Sequence, residues 1–204
     1  MKLLHIDSSI LGERSVSRAL SSEVVEREKW ICPDLDVVYR DLALDPALHL
    51  SSAHMAAWAG AALEGARLCC DLELGQEYLT EFFEADIVVI GAPMYNFTVP
   101  SQLKAWIDRV VVAGETFRYN ESGEVQTLLP RGKRVIIVST RGNVYKADTP
   151  TAALEHHESY LKGVLTFIGV DNVSIVRAEG LAFGPDAKHT AINRARAEIA
   201  ALMT

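Results

Sequence analysis

Three short segments carry the side chains best suited to chemistry. The first, Ser8-Ser9-Ile10-Leu11-Gly12-Glu13-Arg14-Ser15-Val16-Ser17, runs from an apolar strand into a helix. A helix start offers unpaired N–H groups and a partial positive charge, which suits a phosphate. The hydroxyls of Ser9, Ser15 and Ser17 could add donors, although plain N-capping by a serine has the same signature. A loop with so little glycine fits a dianionic phosphomonoester better than a bridging pyrophosphate. The second segment, Ala92 to Ser101, places Met94, Tyr95, Asn96 and Phe97 at a strand end between Pro93 and Pro100. Prolines restrict the backbone and aromatic rings supply a stacking wall; a surface turn with aromatic staples is the bland alternative. The third, Ser139-Thr140-Arg141-Gly142-Asn143, contains a glycine able to turn left-handed or to admit a close backbone approach. Asn143 tolerates the left-handed region better than most residues. Arg141 could neutralise a ligand anion or only a neighbouring carboxylate. Converging on one sheet edge, the three describe a phosphate cradle with a rim for a flat heteroaromatic ring.

Other chemistries lack their residues. No GxGxxG follows a strand, no GxSxG occurs, and Gly132-Lys133 is followed by Arg134 without the upstream glycine of a GxxxxGK[ST] loop. Adjacent helical residues point about 100° apart, so His156-His157 is expected on a solvated helix surface rather than on a metal. His5, in the first strand, is expected to be a satisfied core histidine. Cys32, Cys69 and Cys70 fit neither a disulfide framework nor a CxxC pattern, and Cys69-Cys70 is expected to pack. With no protein nucleophile or metal cluster, an enzyme here would take its chemistry from a cofactor.

The elements that must position these loops follow from periodicity. Strands are expected at Lys2 to Asp7, Leu35 to Arg40, Asp86 to Gly91, Lys133 to Ser139 and Asn172 to Ala178. Helices are expected at Val16 to Trp30, Ser51 to Phe83 (one broken helix or two), Ser101 to Ala113, Thr149 to Phe167 and Pro185 to Met203. The third and fourth strands are continuous apolar runs, the mark of burial on both faces. Alternating strands and helices with right-handed crossovers give an α/β three-layer sandwich, whose ligands sit beyond the carboxyl ends of the strands. Gly114 to Pro130 breaks the alternation; Phe117, Tyr119, Val125 and the turn Asn120-Glu121-Ser122-Gly123 suggest a hairpin-like excursion. The 204 residues are 49% hydrophobic and 23% charged, in keeping with one globular domain spanning 1–204. A net charge of −7 without a basic patch argues against nucleic acid as partner. No apolar run is long enough for a membrane span. The start of the chain lacks a signal-peptide pattern, and the cysteine usage fits a reducing cytoplasm.

On these residues the chain resembles the FMN-dependent NADH azoreductases, also called FMN-dependent NADH:quinone oxidoreductases, along essentially its whole length. Ser8-Ser9-Ile10 with Ser15-Val16-Ser17 is similar to the family's phosphate loop, and Pro93-Met94-Tyr95-Asn96-Phe97 to its flavin-ring loop, the most specific motif. Ala113 to Tyr119 resembles the start of its hairpin excursion, and Ala178-Glu179-Gly180 with Gly184-Pro185 its lead into the last helix. The resemblance implies a flavodoxin-like fold with strand order 2-1-3-4-5, non-covalent FMN, NADH or NADPH as donor, and a homodimer with flavin at the interface. It implies that Ser9, Ser15, Val16 (through its N–H) and Ser17 hold the phosphate. Met94, Tyr95, Asn96 and Phe97 would line the isoalloxazine, and Thr140, Arg141, Gly142 and Asn143 its pyrimidine side. Where the family usually reads Ser-Arg-Gly-Gly, this chain has Thr140-Arg141-Gly142-Asn143, which bears on fine ring placement. The implied activity is ping-pong transfer from NAD(P)H through FMN to quinones and azo compounds, with no catalytic side chain. The competing readings are a flavodoxin-type electron carrier and a flavin-free binding module on the same scaffold.

Overall fold

A computed structural model describes residues 1–62, 65–146 and 148–202. In chain order its elements are β1 (Lys2–Asp7), α1 (Val16–Ile31), β2 (Asp36–Asp41), α2 (Ser52–Trp58), α3 (Ala66–Glu84), β3 (Ile87–Pro93) and α4 (Ser101–Val110). They continue with β4 (Phe117–Tyr119), β5 (Val125–Thr127), β6 (Arg134–Thr140), α5 (Glu158–Phe167), β7 (Asn172–Ala178) and α6 (Pro185–Ala200). The main sheet has the order β2-β1-β3-β6-β7, all pairs parallel. Set aside the β4–β5 hairpin and this is the order 2-1-3-4-5 of the flavodoxin-like expectation.

Side chains of the central strands alternate between two cores. Leu4, Ile6, Val88, Ile90, Val135 and Ile137 face Tyr78, Phe82, Trp106 and Leu161 from α3, α4 and α5. Leu3, Val89, Ile136 and Val138 face Leu20 and Val24 of α1 and Ala195 and Ile199 of α6. Every residue of β3 is buried, so its continuous apolar run has the physical cause the sequence suggested. Each such Val or Ile contributes roughly 1.5–3 kcal/mol relative to exposure.

Register sets the site. Asp7 lies beside Gly91 and Pro93 beside Thr140, so the loops after β1, β3 and β6 leave one edge together. Gly91 favours this close approach, because a Cβ would stand 2.3 Å from Asp7 Oδ1 and 3.2 Å from Ser21 Oγ and force those buried side chains to shift.

Of the two alternatives open for Ser51 to Phe83, the structure has two helices, separated at Gly60 (φ +87°) and Gly65 (φ +90°); residues 63 and 64 of that stretch lie outside the described residues. Other expectations are corrected. The helix expected from Thr149 starts at Glu158, because the Glu155 carboxylate takes the N–H groups of His157, Glu158 and Ser159 at 3.1, 2.7 and 3.1 Å and so caps a new helix. Only a single 3₁₀ turn, Ala152–Leu154, precedes it. His157 is consequently not on a solvated helix face: it is fully buried, while His156 is exposed. Cys70 is exposed rather than packed, and all three cysteines are free. The expected closing helix ends at Ala200, and residue 203 lies outside the described residues. His5 is a satisfied core histidine, 3.0 Å from Ser21 Oγ. Among the described residues no helix is long and apolar enough to cross a membrane.

Candidate cofactor site at the carboxyl edge of the sheet

The first loop ends in the N-cap of α1. Ser15 Oγ accepts from the Arg18 N–H at 3.3 Å and lies 3.0 Å from Ser17 Oγ. Ser9, Ser15 and Ser17 are all buried, and Val16 is half-buried. The first N–H groups of a helix have no carbonyl one turn behind them, so Val16 and Ser17 can offer theirs outward. A pair of hydroxyls beside free N–H groups, on a helix of 16 residues, is the donor set that a phosphate dianion takes.

The second loop makes a tight turn. Tyr95 and Thr98 exchange backbone hydrogen bonds of 3.0 and 3.1 Å around Asn96 and Phe97. Those two residues, at φ +46° and +73°, are the only non-glycine residues at positive φ among the described residues. Positive φ at both central positions is the type I′ pattern; asparagine accepts it readily, whereas phenylalanine there is an outlier held by its surroundings. The turn presents Phe97, 44% exposed, to solvent.

Cross-ties fix the loops to one another. The Tyr95 hydroxyl accepts the Ile10 N–H at 3.2 Å and lies 3.2 Å from Ser9 Oγ, joining the first and second loops. The Met94 N–H donates to Thr140 O at 2.8 Å, joining the second to the third. The Phe97 carbonyl accepts the His156 N–H at 3.0 Å, and Thr98 Oγ1 donates to His156 O at 2.9 Å. A cleft of about 560 Å³ adjoins the turn, with Ile10, Tyr95, Asn96, Val99 and Tyr160 in its wall.

The third loop resolves two alternatives. Gly142 is not left-handed; it serves a close approach, since a Cβ would meet the Ala182 Cβ at a tight 3.3 Å. Asn143 is not left-handed either, and its Oδ1 accepts the Val144 N–H at 2.7 Å. The Arg141 side chain is buried beneath the loop, its Nη2 lying 3.0 Å from Glu158 and 3.4 Å from Glu179. Its N–H donates to Ala178 O at 3.0 Å. Of the two roles open to Arg141, the geometry displays carboxylate pairing. Burial alone would raise the pKa of Glu158, but hydrogen bonds from Arg177 and Ser139 and the charge of Arg141 hold it down to about 2. Burial pushes His157 down to about 4 against the pull of Glu158 and Glu155.

Sequence reasoning missed a polar network under the first loop. Asp7, buried on β1, accepts from Ser21 Oγ at 2.8 Å and from the Tyr39 hydroxyl at 3.1 Å. Burial, with Asp7 and Asp41 nearby, drives the Tyr39 pKa up to about 12. Arg18 completes the network. Its partners come from β1, β2 and the first loop, a grouping that no spacing along the chain reveals.

The five-stranded parallel sheet that carries these loops has counterparts among known proteins. Residues 1–203 match the family described as having a flavodoxin-like fold. The chain belongs to that family. Among its relatives is the FMN-dependent NADH:quinone oxidoreductase of Methylorubrum populi, 53% identical over 202 residues, covering 99% of this chain and 98% of that protein. The FMN-dependent NADH:quinone oxidoreductase 2 of Pseudomonas aeruginosa is 54% identical over 201 residues, covering 98% and 97%. Of the solved structures, an FMN-dependent NADH-azoreductase from Bacillus anthracis in complex with FMN superposes with a TM-score of 0.85 at 27% identity, covering 98% and 97% of the two chains.

Proposed function

We propose that this chain is an FMN-dependent oxidoreductase that transfers electrons from NADH to quinones and reductively cleaves azo compounds. The observation that carries the proposal is the tying of a serine-lined helix start to a strained aromatic turn at the switch edge of the sheet. FMN, when bound, supplies the redox chemistry. The chain's own part is to bind, orient and exclude water. In this reading Ser15 Oγ, Ser17 Oγ and the Val16 N–H hold the phosphate, with Ser9 closing the loop onto Tyr95. Met94, Tyr95, Asn96 and Phe97 flank the ring. Thr140, Gly142 and Asn143 border its pyrimidine side, and Arg141 acts from beneath, holding that loop through its carboxylate partners. Residues 1–204 act as one domain. The acting form is a homodimer with the flavin near the interface, supported by the exposed side chains of Ile10 and Phe97 on the first and second loops. A cytoplasmic location agrees with the exposed thiol of Cys70.

The test begins with the visible spectrum of purified protein and chromatography of the heat-released cofactor. FMN is expected; recovery of FAD, or a colourless protein that takes up no FMN, refutes the proposal. A stable one-electron blue form on reduction would favour an electron carrier instead. Cleaving an azo bond to two amines takes four electrons, so two NADH are consumed per bond. Donor and acceptor use one stacking face in turn, so double-reciprocal plots are parallel; intersecting lines refute the shared face.

A further inference from the structure

We infer that Arg18 is a positioning residue for the phosphate loop, acting as a latch between that loop and the exit of β2 rather than as a ligand of the phosphate. The inference rests on the proposed phosphate seat at Ser15 to Ser17. Arg18 sits in the first turn of α1, one residue after Ser17, where a cation is the obvious candidate for an anion contact. Its hydrogen bonds assign it otherwise. A guanidinium has five N–H donors. Here Nε and Nη2 both donate to the Ser9 carbonyl, at 3.2 and 2.8 Å. Nη2 and Nη1 donate to the two Asp41 oxygens, each at 2.6 Å. The remaining Nη1 donor goes to the Tyr39 hydroxyl at 3.1 Å. All five are spent, so a phosphate contact would require breaking one of them.

The anchor is itself fixed. Asp41 Oδ1 also accepts the N–H groups of Ala43 and Leu44, at 3.0 and 3.2 Å, which holds the carboxylate in the turn that ends β2. A bidentate guanidinium–carboxylate pair adds directional rigidity that a point charge lacks. What the latch grips is the Ser9–Ile10 peptide. Arg18 holds its carbonyl, and the Tyr95 hydroxyl holds its N–H at 3.2 Å. The peptide cannot flip while both hold. The latch therefore sets the direction in which the first loop's N–H and hydroxyl groups face, and with it the retention of a ligand that carries a phosphate.

The experiment titrates the full-length protein, stripped of flavin, with FMN and with riboflavin, comparing wild type with Arg18→Gln and Arg18→Lys. Both variants are expected to lose at least tenfold in FMN affinity and less than twofold in riboflavin affinity. Arg18→Lys keeps the charge but not the fork, so its retaining wild-type FMN affinity would overturn the inference in favour of simple charge attraction. FMN affinity within twofold of wild type in Arg18→Gln, or equal losses for FMN and riboflavin, would also overturn it. Should Arg18→Gln fail to fold, Arg18→Lys alone decides by the same criteria. Wild type binding riboflavin as tightly as FMN would instead overturn the phosphate seat itself, and the latch with it.

Discussion

Phe97, at φ +73°, holds a backbone conformation that costs a non-glycine residue roughly 1–3 kcal/mol, and its side chain is 44% exposed. Replacing it by glycine relieves that cost, offset by about 0.5–1 kcal/mol of glycine entropy and by the burial lost with the ring. Phe97→Gly should therefore leave the melting temperature close to wild type, while Phe97→Val, β-branched at positive φ, lowers it. Both should slow NADH–quinone turnover, and a stable Phe97→Gly of full activity would show that the ring has no part in the site. His157 makes a second prediction. Its pKa in the fold is about 4, below the ordinary 6.5, so the unfolded chain binds the extra proton first. Stability from this group is full above pH 6.5 and is lost as pH falls towards 4. Glu158, at about 2 in the fold, adds a loss that begins near pH 4.5 and runs down towards 2. Melting temperatures should fall for wild type as pH is lowered from about 7 to 4, and fall less for a folded His157→Gln variant. At this scale the sequence placed Ser15 and Ser17 at a helix start and Asn96 and Phe97 in a turn beyond a strand, where the structure has them. It was uninformative for Arg141 and His157, whose surroundings come from segments distant in sequence.

The strands were legible because burial on both faces leaves a continuous apolar run, as in Ile87 to Ile90 and Val135 to Val138. Starts of helices were less so. α5 begins where a glutamate side chain takes three N–H groups, a capping role that residue type does not advertise. The close approach of β1 and β3 at Asp7 and Gly91 was equally silent, although one glycine decides it. Gly91→Ala places a methyl 2.3 Å from Asp7 Oδ1 and must displace a buried carboxylate. The expected cost is about 1–3 kcal/mol, read as a fall in denaturation midpoint, with weaker FMN retention because Asp7, Tyr39 and Arg18 shift together. An unchanged midpoint would mean the strands separate without penalty.

For the whole molecule, several large apolar side chains remain in solvent, among them Ile10 at 61%, Tyr119 at 59% and Phe183 at 61%. Ile10, on the first loop, adjoins the proposed site through Tyr95, and a second copy of the chain is the partner proposed to cover that edge. Light scattering should give twice 22.4 kDa at working concentration; a fully active monomer would end that proposal. A variant lacking Cys32, Cys69 and Cys70 should reduce its flavin with NADH within about tenfold of wild type, about 1.4 kcal/mol of barrier. A folded, flavin-loaded cysteine-free protein unable to do so would place chemistry on a thiol. The proposed homodimer is the part least legible from one chain, because interface residues have the same composition as any half-exposed loop.

The backbone pairing of Tyr95 with Thr98, and of Met94 with Thr140, has a consequence for the dynamics of ligand capture. Amides locked in this way are shielded from deuterium exchange before any ligand arrives. If the proposed flavin ring settles beside it, the turn has little disorder left to surrender, and the entropic toll of association falls mainly on the ligand. Capture becomes a matter of encounter and orientation, not of waiting for a loop to fold.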